Sequence, residues 1–199
     1  MKIQTILVLI FCSFFSTITL AQENDLPFKD ITITPEKFTN ETIFARMIHG
    51  LGFRFYWATE GLRGADLAFR FSKESRTTEE TIDHIMGLSK MMLNAVQKLP
   101  NTKTEEDPSS LPYEVKRKLT LNYLKAISDS LLVGNIKVQD VKILSKTKDG
   151  GLKETPFWNI LNGPLEDAVW HVGQVVAMRR ASGNPFNAKV SVLQGKLMN

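Results

Sequence analysis

The sequence predicts an all-α protein, a four-helix bundle with a short irregular or β insertion before the last helix. Three observations carry that expectation. Four segments repeat apolar residues at spacings of three and four, capping or breaking residues bracket each of them, and the period lapses over residues 135–156. The composition agrees, because 43% hydrophobic and 23% charged residues with 12 Gly and 8 Pro leave no room for collagen-like, low-complexity or wholly disordered readings. No internal repeat is visible.

Residues 1–21 read as a secretory signal peptide: Lys2 gives a positive start, Ile6 to Phe15 is a short apolar run, and Thr19-Leu20-Ala21 offers a small-residue cleavage site before Gln22. That run is too brief to span a bilayer, and no later segment approaches twenty uninterrupted apolar residues, so no transmembrane segment is expected. The mature chain is expected to be exported, periplasmic or secreted. Its size suffices for a core that buries about 70% of the unfolded surface. The single cysteine, Cys12, lies inside the signal behind Phe11, too large for a lipoprotein signal, so the exported protein is expected to have no thiol. Disulfides, a cysteine nucleophile and a thiolate metal site are thereby excluded. The net charge of +4 is spread out, with Lys116-Arg117-Lys118 and Arg179-Arg180 as the densest clusters, so no nucleic-acid partner is expected.

Residues 22–37 carry two prolines and no helical period and read as an extended N-terminal arm; residues 38–199 read as one domain. The first helix opens at Thr39-Asn40, runs through Ile43, Met47, Leu51, Phe55 and Ala58, and ends near Gly61 or Gly64. Phe44, Phe53, Tyr56 and Trp57 occupy its other faces, which predicts a central helix touching several neighbours. A charged connector over 65–76 leads to Thr77-x-x-Glu80, a capping box opening the second helix through Ile85, Leu88, Met92, Val96 and Leu99 before Pro100 stops it. After a polar loop, Ser109 or Ser110 is expected to cap a third helix, with Pro112 early in it and Val115, Leu119, Tyr123, Ile127 and Leu131 along it, and Gly134 at its end. Ile136 and Val138 alternate with polar residues, and Asp149-Gly150-Gly151 marks a turn, so a short strand or hairpin is expected. Phe157-Trp158 reads as one helical turn inserting aromatic bulk. Asn162-Gly163-Pro164 opens the last helix, with Glu166 and Asp167 at its positive end, Arg179 and Arg180 at its negative end, and Gly183-Asn184-Pro185 beyond.

The three histidines, His49, His84 and His171, all fall inside predicted long helices. Asp167 precedes His171 by four residues, which puts a carboxylate and an imidazole one turn apart on one face, where they can share a cation. Gln174 and Met178 continue that face. Spacing alone leaves other readings open: Asp167 suits a helix N-terminus for dipole reasons, His84 suits a hydrogen-bonded histidine, His49 suits packing among aromatics, and Glu60 suits a solvated helix end.

The order Trp57-Ala58-Thr59-Glu60-Gly61-Leu62, then Arg76-Thr77-Thr78-Glu79-Glu80-Thr81-Ile82-Asp83-His84-Ile85, then Asp167-x3-His171-Val172-Gly173-Gln174 resembles the DinB/YfiT-like metalloenzyme superfamily. The resemblance spans roughly residues 38–187, and Arg179-Arg180-x-x-Gly183-Asn184-Pro185 looks like that family's close of the last helix. It implies a four-helix bundle in which His84 and His171 are the first and last ligands of a metal ion. The middle position departs, since this chain has Asp167 where the family usually has histidine. Aspartate is itself a good ligand. Two imidazoles and one carboxylate leave a net charge near +1 on a divalent ion, so bound water should be less acidic than at a tris-histidine site. Zinc, nickel, iron or manganese would each accept such a set.

Three protein ligands leave coordination positions open, the pattern of a catalytic metal. The function expected is therefore metal-dependent hydrolysis of a small-molecule substrate of unknown identity. The alternatives are a non-catalytic bundle serving as a ligand-binding or interaction module, and a metal-dependent thiol transferase, which export disfavours because low-molecular-weight thiols concentrate in the cytoplasm. His49, Glu60 and Gln174 are the expected pocket or supporting residues, with Glu60 as the candidate general base. A homodimer is a further expectation from bundle families generally. No Gly-x-Ser-x-Gly, His-Glu-x-x-His, phosphate loop or dinucleotide fingerprint occurs. Gly50-Leu51-Gly52 suits a close helix contact, and Asn40-Glu41-Thr42 matches a glycosylation sequon.

Overall fold

The computed structural model describes residues 26–102 and 110–199; the signal peptide over 1–21, the first residues of the arm and the Ser109 cap lie outside the described residues. The described chain is mostly helical with a small sheet. Its elements are α1 (Asn40–Thr59), α2 (Gly64–Leu67), α3 (Thr78–Val96), β1 (Pro100–Asn101), α4 (Tyr113–Leu132), β2 (Lys142–Lys146), β3 (Leu152–Pro156), α5 (Trp158–Ile160), α6 (Glu166–Ala181), β4 (Val190–Ser191) and β5 (Lys196–Leu197). The long helices α1 and α3 each pack against both α4 and α6, which lie between them. No helix among the described residues is long and apolar enough to cross a membrane.

Local chemistry starts these helices where the sequence expects. Thr39 caps α1, its Oγ1 accepting the Thr42 N–H while the Thr42 hydroxyl oxygen accepts the Thr39 N–H. Thr77 and Glu80 form the same reciprocal pair on α3: the Thr77 hydroxyl oxygen accepts the Glu80 N–H at 3.1 Å, and the Glu80 carboxylate accepts the Thr77 N–H at 2.6 Å. That backbone hydrogen bond, before the others, holds the Glu80 carboxyl below its ordinary pKa. Pro112 itself is the N-cap of α4, so the proline stands just before the helix rather than inside it. α3 ends at Val96, three residues before the expected stop. Lys98 turns left-handed at φ 58°, and the Leu99 N–H reaches back to the Asn94 carbonyl, so the helix has already closed when Pro100 arrives.

The expected stripes hold in part: Leu51, Phe55 and Ala58 on α1, Ile85, Met92 and Val96 on α3, and Ile127 and Leu131 on α4 are buried, but Ile43 and Met47 are exposed while Phe44 and Ile48 beside them are buried, and Val115 on α4 and Leu99 beyond α3 are exposed. On α1 most positions after Phe44 are buried, as expected of a central helix. The insertion is a hairpin, β2 antiparallel to β3 with Lys142 opposite Pro156 and Lys146 opposite Leu152, turned at residues 147–151. Two features depart from an all-α reading. β1, just after α3, adds to β2 in parallel, and β4 pairs with β5 beyond α6. Both pairings involve two-residue strands, too short to leave an alternating signal. Phe157 packs edge-on against Phe44 at 4.9 Å, but Trp158 beside it is exposed. A kink at Gly163 joins α5 to α6 through a wide turn over Leu161–Leu165.

The last four carbonyls of α1, which an isolated helix leaves without partners, all receive donors from other helices. Arg117 of α4 donates to the Tyr56 oxygen, Arg179 of α6 donates to both Trp57 and Ala58 at 3.0 Å, and the Tyr113 hydroxyl donates to Thr59. Beside them Asp66, fully buried, accepts from Arg63, Ser182 and Asn184, locking the α1–α2 corner onto the end of α6. The Arg63 hydrogen bonds hold the Asp66 carboxyl far below the usual carboxylate range.

Candidate metal centre

The capping box fixes where α3 begins and so sets His84 in its second turn, facing α6. Asp167 and His171 stand one turn apart on α6, immediately after the Gly163–Pro164 kink. The three side chains meet. His84 Nε2 lies 3.1 Å from Asp167 Oδ2, His171 Nε2 lies 3.2 Å from Asp167 Oδ1, and one ligand atom from each residue lies within 4.8 Å of the others. The imidazole rings stand at 88° with centroids 4.7 Å apart. Tetrahedral ligands on bonds of about 2.1 Å sit about 3.4 Å apart, and each histidine stands near that spacing from one of the two Asp167 oxygens.

The second nitrogen of His171 sharpens this. Gln174, one turn further along α6, presents its Oε1 at 2.9 Å from His171 Nδ1, an arrangement in which Nδ1 is the donor. A neutral His171 then carries a bare lone pair on Nε2, aimed at a carboxylate oxygen that has only lone pairs to offer. Two acceptors 3.2 Å apart repel unless a cation lies between them, either a proton on the ring or a metal ion. A His84–Asp167–His171 cluster of this kind could hold a metal ion. The donor set of two imidazoles and one carboxylate suits a borderline divalent cation. His171 is 12% exposed, His84 32% and Asp167 38%, so the cluster sits at the protein surface with room on its outer side.

A second set of charges borders it. Lys116 of α4 is buried, and its ammonium bonds Glu79 at 3.0 Å and Asp83 at 2.8 Å, both on α3 and the second adjacent in sequence to His84. Burial alone would lower the Lys116 pKa, but the hydrogen bonds it donates to Asp83 and Glu79 outweigh it and raise it. These pairs pin the His84 turn of α3 onto α4. In the sequence Lys116 stands out only as part of a dense basic cluster. The signal for its role is Glu79 and Asp83 at a spacing of four, a stripe that asks for a cation on a neighbouring helix.

Of the three supporting residues expected, the structure brings only Gln174 to the cluster. His49 is buried on α1, where it hydrogen-bonds with Ser128 of α4 and lies under Phe28 of the arm with ring centroids 5.7 Å apart. It lines a pocket of about 190 Å³ between the arm and α4, not the metal cluster. Glu60 pairs with Arg117 at the C-terminal end of α1, so its carboxylate is committed to a guanidinium and does not serve as a base at the cluster.

Compared with known proteins, the chain matches no family model and no curated relative.

Proposed function

We propose that the protein is a DinB-like four-helix bundle carrying one divalent metal ion on His84, Asp167 and His171, and that it is an exported metal-dependent hydrolase of a small molecule. The observation that carries the metal is the convergence of His84, Asp167 and His171, one ligand atom of each lying within 4.8 Å of the others. The helix order, with α4 and α6 each between α1 and α3, supports the bundle. Export rests on the residues before Gln22.

A divalent ion bound there would supply Lewis acidity and activation of water at neutral pH. The chain's own part is to fix the ligands. Gln174 sets the tautomer of His171, the Lys116 pairs with Glu79 and Asp83 hold the α3 turn that bears His84, and the exposed outer side of the cluster admits a substrate. Three protein ligands, with no fourth His, Cys, Asp or Glu grouped with them among the described residues, fit a reacting centre better than a closed structural site.

The test is elemental analysis of tag-free protein after loading with zinc, nickel, manganese or ferrous iron and removal of excess. One equivalent per chain is expected, falling below a tenth in His84→Ala and in His171→Ala. The Asp167→His variant, which restores the residue usual in the resembling family, should retain one equivalent. Metal-loaded protein should hydrolyse members of a panel of simple aryl esters and phosphoesters, with activity lost in the same two alanine variants. Failure to bind any of the four ions would remove the basis of the proposal; binding without turnover of any ester or phosphoester would leave a metal-binding module and end the hydrolase reading.

A further inference from the structure

A groove of about 740 Å³ lies between α1, the start of α6 and the C-terminal hairpin β4–β5. It is separate from the metal cluster, because Glu166 and Val169, which line it, occupy a different stripe of α6 from Asp167 and His171. Its volume falls within the range of small-molecule sites, about 300–1,000 Å³.

Two features of its lining belong together. The walls are apolar: Met47 and Leu51 from α1, Leu165 and Val169 from the start of α6, and Val192 and Leu193 from the hairpin tip. Several of these are unusually exposed for their type, Leu193 at 90% and Met47, Val169 and Val192 at 40–42%. Against these walls stand two guanidiniums and one carboxylate. Arg46 donates to the Ile33 carbonyl at 3.1 Å, and Arg54 folds back to donate to the Gly50 carbonyl at 3.0 Å. Neither has an acidic partner among the described residues, and Glu166 is the only carboxylate lining the groove. A guanidinium has five N–H donors, so each arginine retains most of its hydrogen-bonding capacity toward the groove.

We infer that this groove binds a monomeric amphiphile with a single anionic head group and an apolar chain, of the long-chain carboxylate class. The apolar walls would take the chain, released from water at no cost in polar groups. The single excess positive charge of the lining matches one negative charge on the ligand. Arg54, partly buried and anchored on the helix by Gly50, would hold the head group through a forked pair of N–H donors, the geometry at which arginine surpasses lysine. Arg46, tied to the arm at Ile33, would close the polar end.

The experiment uses the full mature protein and 11-(dansylamino)undecanoate, a fluorescent long-chain carboxylate, kept below its micellar concentration. Saturable binding of one probe per chain is expected, displaced by dodecanoate at least tenfold more effectively than by dodecan-1-ol or by hexanoate. Arg54→Gln should weaken the probe at least tenfold. Leu193→Glu should do the same from the opposite wall, at a surface position whose substitution cannot unfold the core, and circular dichroism should confirm that both variants keep their helix content. The inference is overturned by any of four results: no saturable binding, equal displacement by the alcohol and the carboxylate, unchanged affinity in both variants, or association with phosphatidylglycerol vesicles in the absence of monomer binding.

Discussion

Gln174 offers His171 a single hydrogen bond, yet that bond decides which nitrogen is free for coordination. Replacing it with Leu keeps the side-chain size and leaves His171 free to adopt either tautomer. Metal affinity should fall about 10- to 100-fold, as for other partners that orient a ligating histidine, with unchanged helix content, measured by competition against a chelator of known affinity. A structural role alone would show in the melting temperature of the metal-free protein, which should not move. His49 is a histidine of the opposite kind. Burial disfavours its charged form and lowers its pKa from the ordinary 6.5; Arg46 and Lys125 act in the same direction and Asp129 against them. The unfolded chain therefore binds more protons than the folded one as pH falls below 6.5, so stability is full above that pH and is lost on acidification toward the folded value. Metal-free protein should thus have a lower urea midpoint at pH 5.5 than at pH 8. In His49→Gln the difference should shrink; an undiminished difference would assign the effect to other groups.

At the scale of elements, the C-terminal end of α1 shows what a sequence conceals. The Thr39 cap, the Thr77–Glu80 capping box and the Gly134 stop are written within a few residues and are legible for that reason; Gly134 does take the left-handed φ of 83° expected after a helix end. The acid–histidine pair on α6 was legible for the same reason. The carbonyls of Tyr56, Trp57, Ala58 and Thr59 instead find donors on α4 and α6, and nothing near α1 announces this, since its own last turn has no basic residue. For that reason the sequence shows Arg117 only as part of a basic cluster and Glu60 only as a solvated helix end or a general base. The exchange of Ile43 and Met47 for Phe44 and Ile48 as buried residues has a related cause: a helix apolar all round leaves its orientation to be set by neighbours. Arg179→Met tests the capping directly. The apolar part of the side chain is kept, but the Trp57 and Ala58 oxygens lose their donor inside the protein. At about 1–3 kcal/mol for each buried group left unpaired, urea unfolding should show a loss of about 3 kcal/mol. Arg179→Lys should recover only part of it, because a single ammonium cannot reproduce the spread of donors that also reaches Asn184. A loss under about 0.5 kcal/mol would show the capping to be energetically idle.

Across the whole molecule, the arm and the metal cluster occupy different helix pairs. His84 and Asp167–His171 span α3 and α6, whereas the arm lies on α1: the Trp57 indole donates to Lys29 at 3.0 Å, the Ile31 N–H reaches Gly195 of the C-terminal segment at 2.7 Å, and Phe28, at a left-handed φ of 72°, sets its ring on Gly52. A Cβ at Gly52 would come 2.5 Å from Cγ of that ring, closer than carbon atoms can pack, and the ring has no flexible end to yield. Two opposing effects of Gly52→Ala can thus be separated by background. With Phe28 present, overpacking at about 1–3 kcal/mol should exceed the gain of about 1 kcal/mol from replacing a helical glycine, and the substitution should destabilise. In Phe28→Ala the clash disappears and the same substitution should stabilise, so a double-mutant cycle in urea should give a change of sign. Neither substitution touches α3 or the metal ligands. Saturation with zinc at about one hundred times its dissociation constant should therefore add about 2.7 kcal/mol in all four proteins. If the increment instead fell with the arm displaced, the cluster and the arm would form one cooperative unit, and the division between the two helix pairs would have no energetic reality.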